Sequence, residues 1–414
     1  MKSPRVSLAA LVTAQALVTF IDCAAKFMLI ALARQLTPAI GWDPQAIVLL
    51  VGVLLVLPYV AFAPVCGSLS DRFSKHAVFN AALILQIATV ALLVPAAWGQ
   101  SFGGALGCFF LLSVQTAMIA PAKRGILLEY LAPEKLSRYV GYLEGANIAA
   151  LAAGAWAGGW LFSRGLQAGA TPWMAVSSVS LMLGGLAVVA WLGWRLAVRT
   201  PAQSAEPMTA SVCVRHARDL AEIWRDKPMW RSALGIGFAA GMGSYVMLAL
   251  GQVVREQPEV GLTFALPGAM LLLAGLGGLV GTVSAGLFSR RGVEMGLASI
   301  GGLLLCGCLA SLSIATPPPS FAPLALLRSP FAILLIGSGF SLGLAIVPLY
   351  AFVQQRAADA RRGRVLASIG SLAGGAVMVA AGLYAVFGAA GRFAVGTGAQ
   401  FFVLALVAAA MTVY

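Results

Sequence analysis

Twelve runs of apolar residues, each long enough for a membrane-spanning helix, restrict what this chain can fold into more than any other feature. They lie at about 8–32, 46–66, 76–97, 103–122, 138–161, 173–194, 232–254, 262–288, 293–314, 329–352, 364–387 and 393–413. A helix needs about 20 apolar residues to cross a hydrocarbon core of ~30 Å. Because the chain has 414 residues, little room remains for a soluble domain. We therefore predict an all-α integral membrane protein with twelve transmembrane helices.

The composition excludes several other classes of protein. Apolar residues make up 60% of the chain and charged residues only 10%. Soluble proteins average about 45–50% and 25%, so a soluble enzyme, a disordered protein and a secreted disulfide scaffold are excluded. The six cysteines and two histidines have no spacing typical of a zinc or haem site, so we expect no metal and no cofactor.

The positions of the basic residues predict the topology. The net charge is +13, and nearly all Lys and Arg residues fall between the apolar runs. With a cytoplasmic N-terminus, the cytoplasmic side carries 21 of them and the opposite side 5. This bias follows the positive-inside rule in alternate loops and predicts that both termini are cytoplasmic. It also accounts for the charge without nucleic acid as a partner.

The longest polar stretch divides the runs six and six. We predict an N-terminal six-helix bundle at 1–194, a cytoplasmic linker at 195–231 and a C-terminal six-helix bundle at 232–414. Residues 214–224 of the linker carry a narrow apolar stripe, which predicts an amphipathic helix. Such a helix either lies at the membrane interface or is a solvated linker helix. Short similarities between the loops after the second and eighth runs also suggest a duplicated six-helix unit.

The loop after the second run contains a motif. Residues 67–75, Gly-Ser-Leu-Ser-Asp-Arg-Phe-Ser-Lys, resemble the G-x-x-x-D-R-x-x-[KR] signature of the major facilitator superfamily. Gly67 allows neighbouring helices to approach closely, and Asp71 can accept hydrogen bonds at a helix N-terminus and pair with a basic group. We predict that Gly67, Asp71, Arg72 and Lys75 form a conformational latch for one closed state. Residues 154–159 resemble a glycine-rich motif of the same superfamily, with Ala155 in place of its proline.

Charged residues within the first run indicate a polar site. Gln15, Thr19, Asp22 and Lys26 are spaced by four, three and four residues, which stacks them on one helical face. A charge at the membrane centre costs roughly 2.5–3.5 kcal/mol on insertion scales. Asp22 and Lys26 must therefore face the bundle interior or water, and at this spacing they can form an ion pair. A substrate or coupling-ion site and a purely structural ion pair both explain them.

A second cluster makes the resemblance more specific. The segment 121–129 reads P-A-K-R-G-I-L-L-E, and Glu144 and Asn147 follow in the fifth run, three residues apart on one face. Together with Phe-Ile-Asp at 20–22 and F-A-P-x-x-G-x-x-x-D-x-F-x-K at 62–75, these patterns resemble the bacterial lysophospholipid transporter family of the major facilitator superfamily. The resemblance is clearest over residues 1–160.

The resemblance implies a fold, a function and a location. It implies the major facilitator fold of two six-helix bundles, and a transporter of the bacterial inner membrane working by alternating access. The expected substrate is a lysophospholipid, moved toward the cytoplasmic leaflet for reacylation, with a cytoplasmic acyltransferase as partner. Carried over by position, Asp22, Lys123 and Glu144 are the polar-site residues, with Lys26 and Asn147 beside them. Arg124 stands where the family pattern predicts an aromatic or neutral residue, and Lys123 can instead be a cytoplasmic anchor.

The two halves differ in charge, which suits an amphipathic substrate. From residue 232 to 414 no acidic or basic residue lies well inside a run, so only the first half carries charge within the membrane. An ionic headgroup in the first half and an acyl chain against the second fit this contrast. Three alternatives stay open: a carrier of a small drug or metabolite, a membrane enzyme such as an acyltransferase, and the transporter module of a larger acyl-transfer fusion. The enzyme has no H-x-x-x-x-D pattern to support it.

Overall fold

The computed structural model of the protein describes residues 4–40, 44–202, 211–255, 266–289, 292–316, 328–388, 391 and 393–413, and in these ranges its regular structure is entirely helical. Single-turn 3₁₀ helices occur at Pro133–Lys135 and Asp359–Arg361. The α-helices are α1 (Pro4–Ile40), α2 (Pro44–Ala61), α3 (Ala63–Arg72), α4 (Lys75–Trp98), α5 (Phe102–Gly125), α6 (Leu127–Tyr130), α7 (Leu136–Gln167), α8 (Pro172–Trp194), α9 (Val212–Arg225), α10 (Lys227–Arg255), α11 (Leu266–Phe288), α12 (Gly296–Ile314), α13 (Pro330–Arg356), α14 (Arg362–Phe387) and α15 (Thr397–Val413).

A helix lies at each of the twelve predicted positions. Within the described residues, nine helices are long and apolar enough to cross a membrane by themselves. The bent pair α2 and α3 makes a tenth if it is counted as one span, α15 is a shorter apolar helix, and α7 has 32 residues but is not among the nine. The start of the run at 262–288 and the basic pair at 290–291 lie outside the described residues.

The second span is broken between α2 and α3. The two helices meet at an angle of 52°. Phe62 caps α3, whose first turn contains Pro64. Proline is favoured in the first turn of a helix because its missing N–H has no helical acceptor there, whereas inside a continuous helix its ring clashes with the carbonyl four residues earlier and bends or breaks the helix. The proline therefore redirects α3, the helix that carries Gly67 and Asp71.

The helices pack as two groups that meet along two seams. In the first half, α4 packs against α5 and α8, and α1 packs against α7. In the second half, α12 packs against α13 and α15, and α10 packs against α14. The halves contact each other where α7 meets α11 and where α3 and α2 meet α14. The loops after the second and eighth runs are similar in sequence. Each of them follows a helix, α3 or α11, that contacts the other half at one of these two seams.

Small residues bring α11 and α13 into close contact. Gly277 and Gly281 of α11 and Gly339 and Gly343 of α13 each lie against the backbone of the other helix, so that an added Cβ would overlap it. Both pairs have the four-residue spacing of small residues at membrane helix interfaces. The contact fixes α11, which in turn positions the seam with α7.

Among the described residues, the cluster of buried apolar side chains that spans both halves lies at one end of the bundle. One cluster of buried side chains joins the halves, with Val140 and Leu143 of α7 near Ala285 of α11, and Leu366 of α14 in the same cluster. These residues lie toward the end of the bundle that carries α9, which we call the α9 end. Toward the opposite end, the first and second halves have separate apolar clusters. The halves are therefore in closest contact at the α9 end.

The linker helix α9 packs against the protein. It contacts α14, α10 and α3. Ile223, from the predicted apolar stripe, is buried, whereas Trp224 is exposed and lies against the ring of Trp230. Neither interpretation of this helix from sequence was complete, because an apolar stripe does not reveal whether lipid or protein will cover it.

Ion pairs attach α9 and the residue after it to the second half. Asp219 pairs with Arg364 at 3.2 Å, and Glu222 pairs with Arg361 at 2.7 Å. The hydrogen bond from Arg356, 2.6 Å long, lowers the pKa of Asp226. Additionally, His216 lies 3.1 Å from the hydroxyl of Ser368, and burial lowers the pKa of this histidine.

Candidate functional site

A buried ion pair lies between α5 and α7, close to the second half. Nε and Nη2 of Arg124 donate to Oε1 of Glu144 at 3.1 and 3.0 Å. The guanidinium also lies over the ring of Tyr350 in α13, 3.9 Å from its centroid. A cation held this close to an aromatic face is attracted by the ring quadrupole. Arg124, whose role the sequence left open, therefore connects an acidic residue of the first half with an aromatic residue of the second.

Lys123 is a second buried cation at this site. Its side chain is only 6% exposed, and its ammonium interacts electrostatically with both Glu144 and Asp22. Among the described residues, no carboxylate comes within ion-pairing distance of this ammonium. A buried charge without a close partner is costly, so an anion from outside the protein would be bound favourably here. The burial argues against a simple cytoplasmic anchor.

Asp22 faces the first half. One carboxylate oxygen accepts a hydrogen bond from Nε2 of Gln86 at 3.0 Å, and the other accepts one from the hydroxyl of Thr116. Within the described residues it forms no ion pair with Lys26, the pairing that their spacing allows. The neighbours from α4 and α5 were not predicted. A carboxylate has about four acceptor sites, so Asp22 retains capacity for a donor from a ligand.

The rest of the polar face of α1 meets α7. Nε2 of Gln15 donates to Oδ1 of Asn147 at 3.1 Å, and the hydroxyl of Thr19 donates to the same oxygen at 2.6 Å. The predicted face of α1 is therefore divided. Gln15 and Thr19 contact Asn147, whereas Asp22 contacts residues of α4 and α5. The structure brings Asn147 to α1 as a fixed polar group, and its side-chain N–H groups have no acceptor in the described part of the chain.

Lys26 lies in a separate, narrow cleft between the halves. The cleft has a volume of about 70 Å³ and is lined by residues of α1, α2, α10 and α14, among them Val56 and Met378. Its other lining residues are apolar apart from Ser244. Lys26 is one turn of α1 beyond Asp22, away from the α9 end. The structure therefore separates Lys26 from the group formed by Lys123, Arg124 and Glu144.

Asp71 joins the two halves at the α9 end. Its Oδ1 accepts a hydrogen bond from the N–H of Gly363 at 2.6 Å, and its Oδ2 accepts one from the N–H of Arg364 at 3.0 Å. Both donors lie in the first turn of α14, where backbone N–H groups have no helical partner and the helix dipole favours an anion. A Cβ on Gly67 would lie 2.8 Å from Cα of Arg364, so only glycine allows this approach.

The other two residues of the motif contact the first half. Lys75 is fully buried and pairs with Glu129 of α6, so it stabilises the loop after α5. The guanidinium of Arg72 lies beside the ring of Phe73, 5.7 Å from its centroid. Of the four residues in the predicted latch, Gly67 and Asp71 contact the second half in the structure.

The described part of the chain has no group of three His, Cys, Asp or Glu residues close enough to bind a metal ion. The chemistry that these residues offer is recognition of a charged group. Lys123 and the amide of Asn147 supply donors for an anion, and Asp22 supplies an acceptor for a cation.

Comparison with known proteins identifies the class. A sequence model of the Major Facilitator Superfamily matches residues 16–382. The human organic anion transporter MFSD10 (TETRAN) has a similar crystal structure, with a TM-score of 0.74, 15% sequence identity and complete coverage of both chains. At this identity the likeness shows the fold alone. The chain belongs to the Major Facilitator Superfamily of membrane transporters and has the fold of that superfamily.

Curated relatives identify the family within this superfamily. The lysophospholipid transporter LplT of Klebsiella pneumoniae (strain 342) is 30% identical over 352 residues, covering 84% of this chain and 80% of that protein. LplT of Serratia proteamaculans (strain 568) is 29% identical over 353 residues with the same coverage. Within the superfamily, the chain belongs to the lysophospholipid transporter family, as the motifs in its first 160 residues predict.

Proposed function

We propose that this protein moves lysophospholipids across the bacterial inner membrane to the cytoplasmic leaflet, where they are reacylated. The names of its relatives support the substrate class. The observation that carries the proposal is the ammonium of the buried residue Lys123, which has no carboxylate within ion-pairing distance in the described part of the chain and lies beside the Arg124–Glu144 pair. A lysophospholipid carries a phosphate, and this cation can bind it.

The headgroup would use both signs of charge at the site. Lys123 and the amide of Asn147 would bind the phosphate. Asp22, which already accepts one hydrogen bond on each oxygen, would accept from the amine of an ethanolamine headgroup. Glu144 is paired with Arg124 and reaches an amine only if that pair opens. Lys26, in its own cleft, would be the first cation that a headgroup from the outer leaflet meets.

The acyl chain would lie against the second half. The membrane-spanning helices of the second half have no acidic or basic residue well inside a span, so they provide an apolar surface beside the polar site. Placing the chain there avoids burying charged groups next to hydrocarbon, which is costly.

We infer an alternating-access cycle in which the described structure is closed on the cytoplasmic side. Packing between the halves is concentrated at the α9 end, where Asp71 binds the first turn of α14 and α9 forms its ion pairs. The excess of basic residues in the loops at this end supports a cytoplasmic location. A lysophospholipid would reach the site from the opposite side.

Asp71→Asn is expected to destabilise this closed state without removing the substrate site. Asparagine has one acceptor oxygen, and its amide would face one of the two backbone donors. Hydrogen bonds to charged groups are worth ~1.5–3 kcal/mol, so the closed population should fall by roughly ten- to a hundredfold relative to the open one. Distances between spin labels on α3 and α14 would measure this shift.

Asp359→Asn is the matched control, because Asp359 is an exposed carboxylate that pairs with Arg362 inside the second half. It should leave the populations unchanged. A large loss of equilibrium binding in Asp71→Asn, with no change in the label distances, would contradict the role of a latch.

Labelling of Cys213 tests the proposed topology. Cys213 is exposed at the start of α9, whereas the other five cysteines are buried or half-buried in helices. In a variant that retains only this cysteine, a membrane-impermeant maleimide should react in inside-out vesicles and not in intact cells. Reaction in intact cells would show that α9 is outside the cytoplasm.

The proposed direction of transport also implies a partner. Reacylation needs an acyltransferase that acts on the cytoplasmic leaflet, and the α9 end faces that side in our proposal. A coupled assay would compare reacylation of an externally supplied lysophospholipid in cells with and without this transporter.

Uptake by proteoliposomes tests the substrate class. Vesicles containing the purified protein would receive labelled lysophosphatidylethanolamine, a sugar or a cationic dye in separate experiments. We expect protein-dependent uptake of the lipid alone. Uptake of the sugar or the dye with no uptake of the lipid would favour the alternative of a small-metabolite or drug carrier.

A further inference from the structure

A second cleft, apart from the polar site, lies in the second half of the protein. Its volume is about 680 Å³, and it is lined by α10, α14, α15 and the segment before α15. Pockets for small molecules typically have volumes of about 300–1,000 Å³. Apart from Tyr245 and Gln400, the side chains that line it are apolar.

The cleft exists because one helix packs differently in the two halves. In the first half, α8 packs against both α4 and α1. The equivalent helix of the second half, α15, packs closely against α12 but contacts α10 only weakly. The cleft occupies the space between α15, α10 and α14. Apolar packing therefore leaves a gap in the second half that the first half fills with protein.

The cleft opens on the outside of the bundle. Val379, Leu383 and Val403 at its rim are 62%, 48% and 55% exposed, whereas Met242 and Ala380 at its floor are buried. In a membrane protein this surface faces lipid. Hydrocarbon is thus the material available to fill an apolar space of this size, and burying each additional CH₂ group is favourable.

Gln400 gives one end of the cleft a polar group. This side chain is only 3% exposed, and its Nε2 donates to the carbonyl of Val395 at 2.7 Å and to Oε1 of Gln252 at 3.0 Å. Both bonds fix the orientation of the amide. Its Oε1 is buried and has no donor among the described residues. A buried acceptor without a donor is unfavourable, so a ligand with a hydroxyl or amine would be stabilised here.

The cleft has the orientation of a lipid in one leaflet. Gln400 lies at the start of α15, at the end of the bundle away from α9, and Val407 lies about 10 Å further along the helix. Gly237 of α10 lines the apolar end, toward the membrane centre. A headgroup near Gln400 and a chain directed inward match a lipid of the leaflet opposite α9.

We propose that this cleft binds the single acyl chain of an outer-leaflet lysophospholipid, whose free glycerol hydroxyl donates to Oε1 of Gln400. A diacyl phospholipid has an ester in place of this hydroxyl and therefore offers no donor from its glycerol backbone. This site adds a second place where the substrate of the proposed function binds. The inference rests on that proposed function only for the leaflet from which the lipid comes. It would concentrate substrate beside the transporter without contacting Lys123 or Glu144.

Photolabelling of the full-length purified protein tests the site independently of transport. The probe is 1-acyl lysophosphatidylethanolamine with a diazirine in its acyl chain, and the labelled peptides are identified by mass spectrometry. We expect labels in α10, α14 and α15. Unlabelled lysophosphatidylethanolamine should compete about three- to tenfold better than its 2-O-methyl ether, because the ether lacks the hydroxyl donor. Diacyl phosphatidylethanolamine should compete poorly.

A pair of variants distinguishes the cleft from the general lipid-facing surface. Val403→Trp fills the cleft and should remove most of its labelling, whereas Leu406→Trp, on an exposed part of α15 outside the cleft, should not. Even labelling around the bundle, or equal competition by the ether and the diacyl lipid, would contradict the site. Labelling of the cleft in a protein that transports no lysophospholipid would overturn the proposed function and leave the site intact.

Discussion

Glu144→Gln is expected to abolish transport and to lower the free energy of unfolding by about 3–5 kcal/mol, because it leaves the buried guanidinium of Arg124 without its partner. Arg124 and Glu144 are 12% and 7% exposed, so water cannot replace the lost interaction. Transport into proteoliposomes and thermal denaturation in detergent would measure the two effects.

A matched variant shows whether the loss of stability comes from the burial of the pair or from the loss of any ion pair. Glu222→Gln breaks the pair with Arg361, in which both side chains are about half exposed. Exposed pairs contribute only about 0.2–1 kcal/mol, so this variant should be nearly as stable as the native protein. The double variant Arg124→Met with Glu144→Gln should recover stability and remain inactive, since it removes both charges of the site. Transport by Glu144→Gln at the rate of the native protein would show that the buried pair is not needed for transport.

Lys123→Met is expected to weaken binding of lysophospholipids by roughly ten- to a hundredfold, the loss of one hydrogen bond to a charged group at ~1.5–3 kcal/mol. The phosphate is common to all these lipids, so lysophosphatidylethanolamine and lysophosphatidylglycerol should be affected equally. Asp22→Ala should instead weaken binding of the ethanolamine lipid more strongly, because only that headgroup carries an amine. Equilibrium binding of the two labelled lipids would separate these roles.

The control for Lys123→Met is Lys135→Met, which removes an exposed cation in the loop before α7 and should leave binding unchanged. If Lys123→Met folds and binds both lipids with native affinity, the phosphate is held elsewhere.

The positions of the helices could be predicted from sequence because the membrane imposes a simple rule. Every backbone group in hydrocarbon needs an internal partner, so each long apolar run becomes a helix. The contact of Asp71 with a helix N-terminus could also be anticipated, since an acidic residue at a membrane edge needs donors and the first turn of a helix supplies them. These features depend on local sequence.

The partners of Asp22 and Arg124 could not be predicted in the same way. For Asp22, the nearest basic residue in sequence is Lys26, yet Gln86 and Thr116 come from other helices whose register against α1 is set by packing. A basic residue at the end of a span, such as Arg124, is usually an interfacial anchor. Its contact with Tyr350 depends on how the two halves meet, which no local pattern in the sequence encodes.

The most direct measurement of the central claim is the movement of one lipid between leaflets in proteoliposomes. Fluorescent lysophosphatidylethanolamine would be added to the outer leaflet, and extraction by albumin would report how much remains there. We predict that the native protein removes the lipid from the extractable pool, and that Lys123→Met, folded and inserted normally, does so far more slowly. Equal rates for protein-free vesicles and the native protein, or for the native protein and Lys123→Met, would contradict lysophospholipid transport through this site.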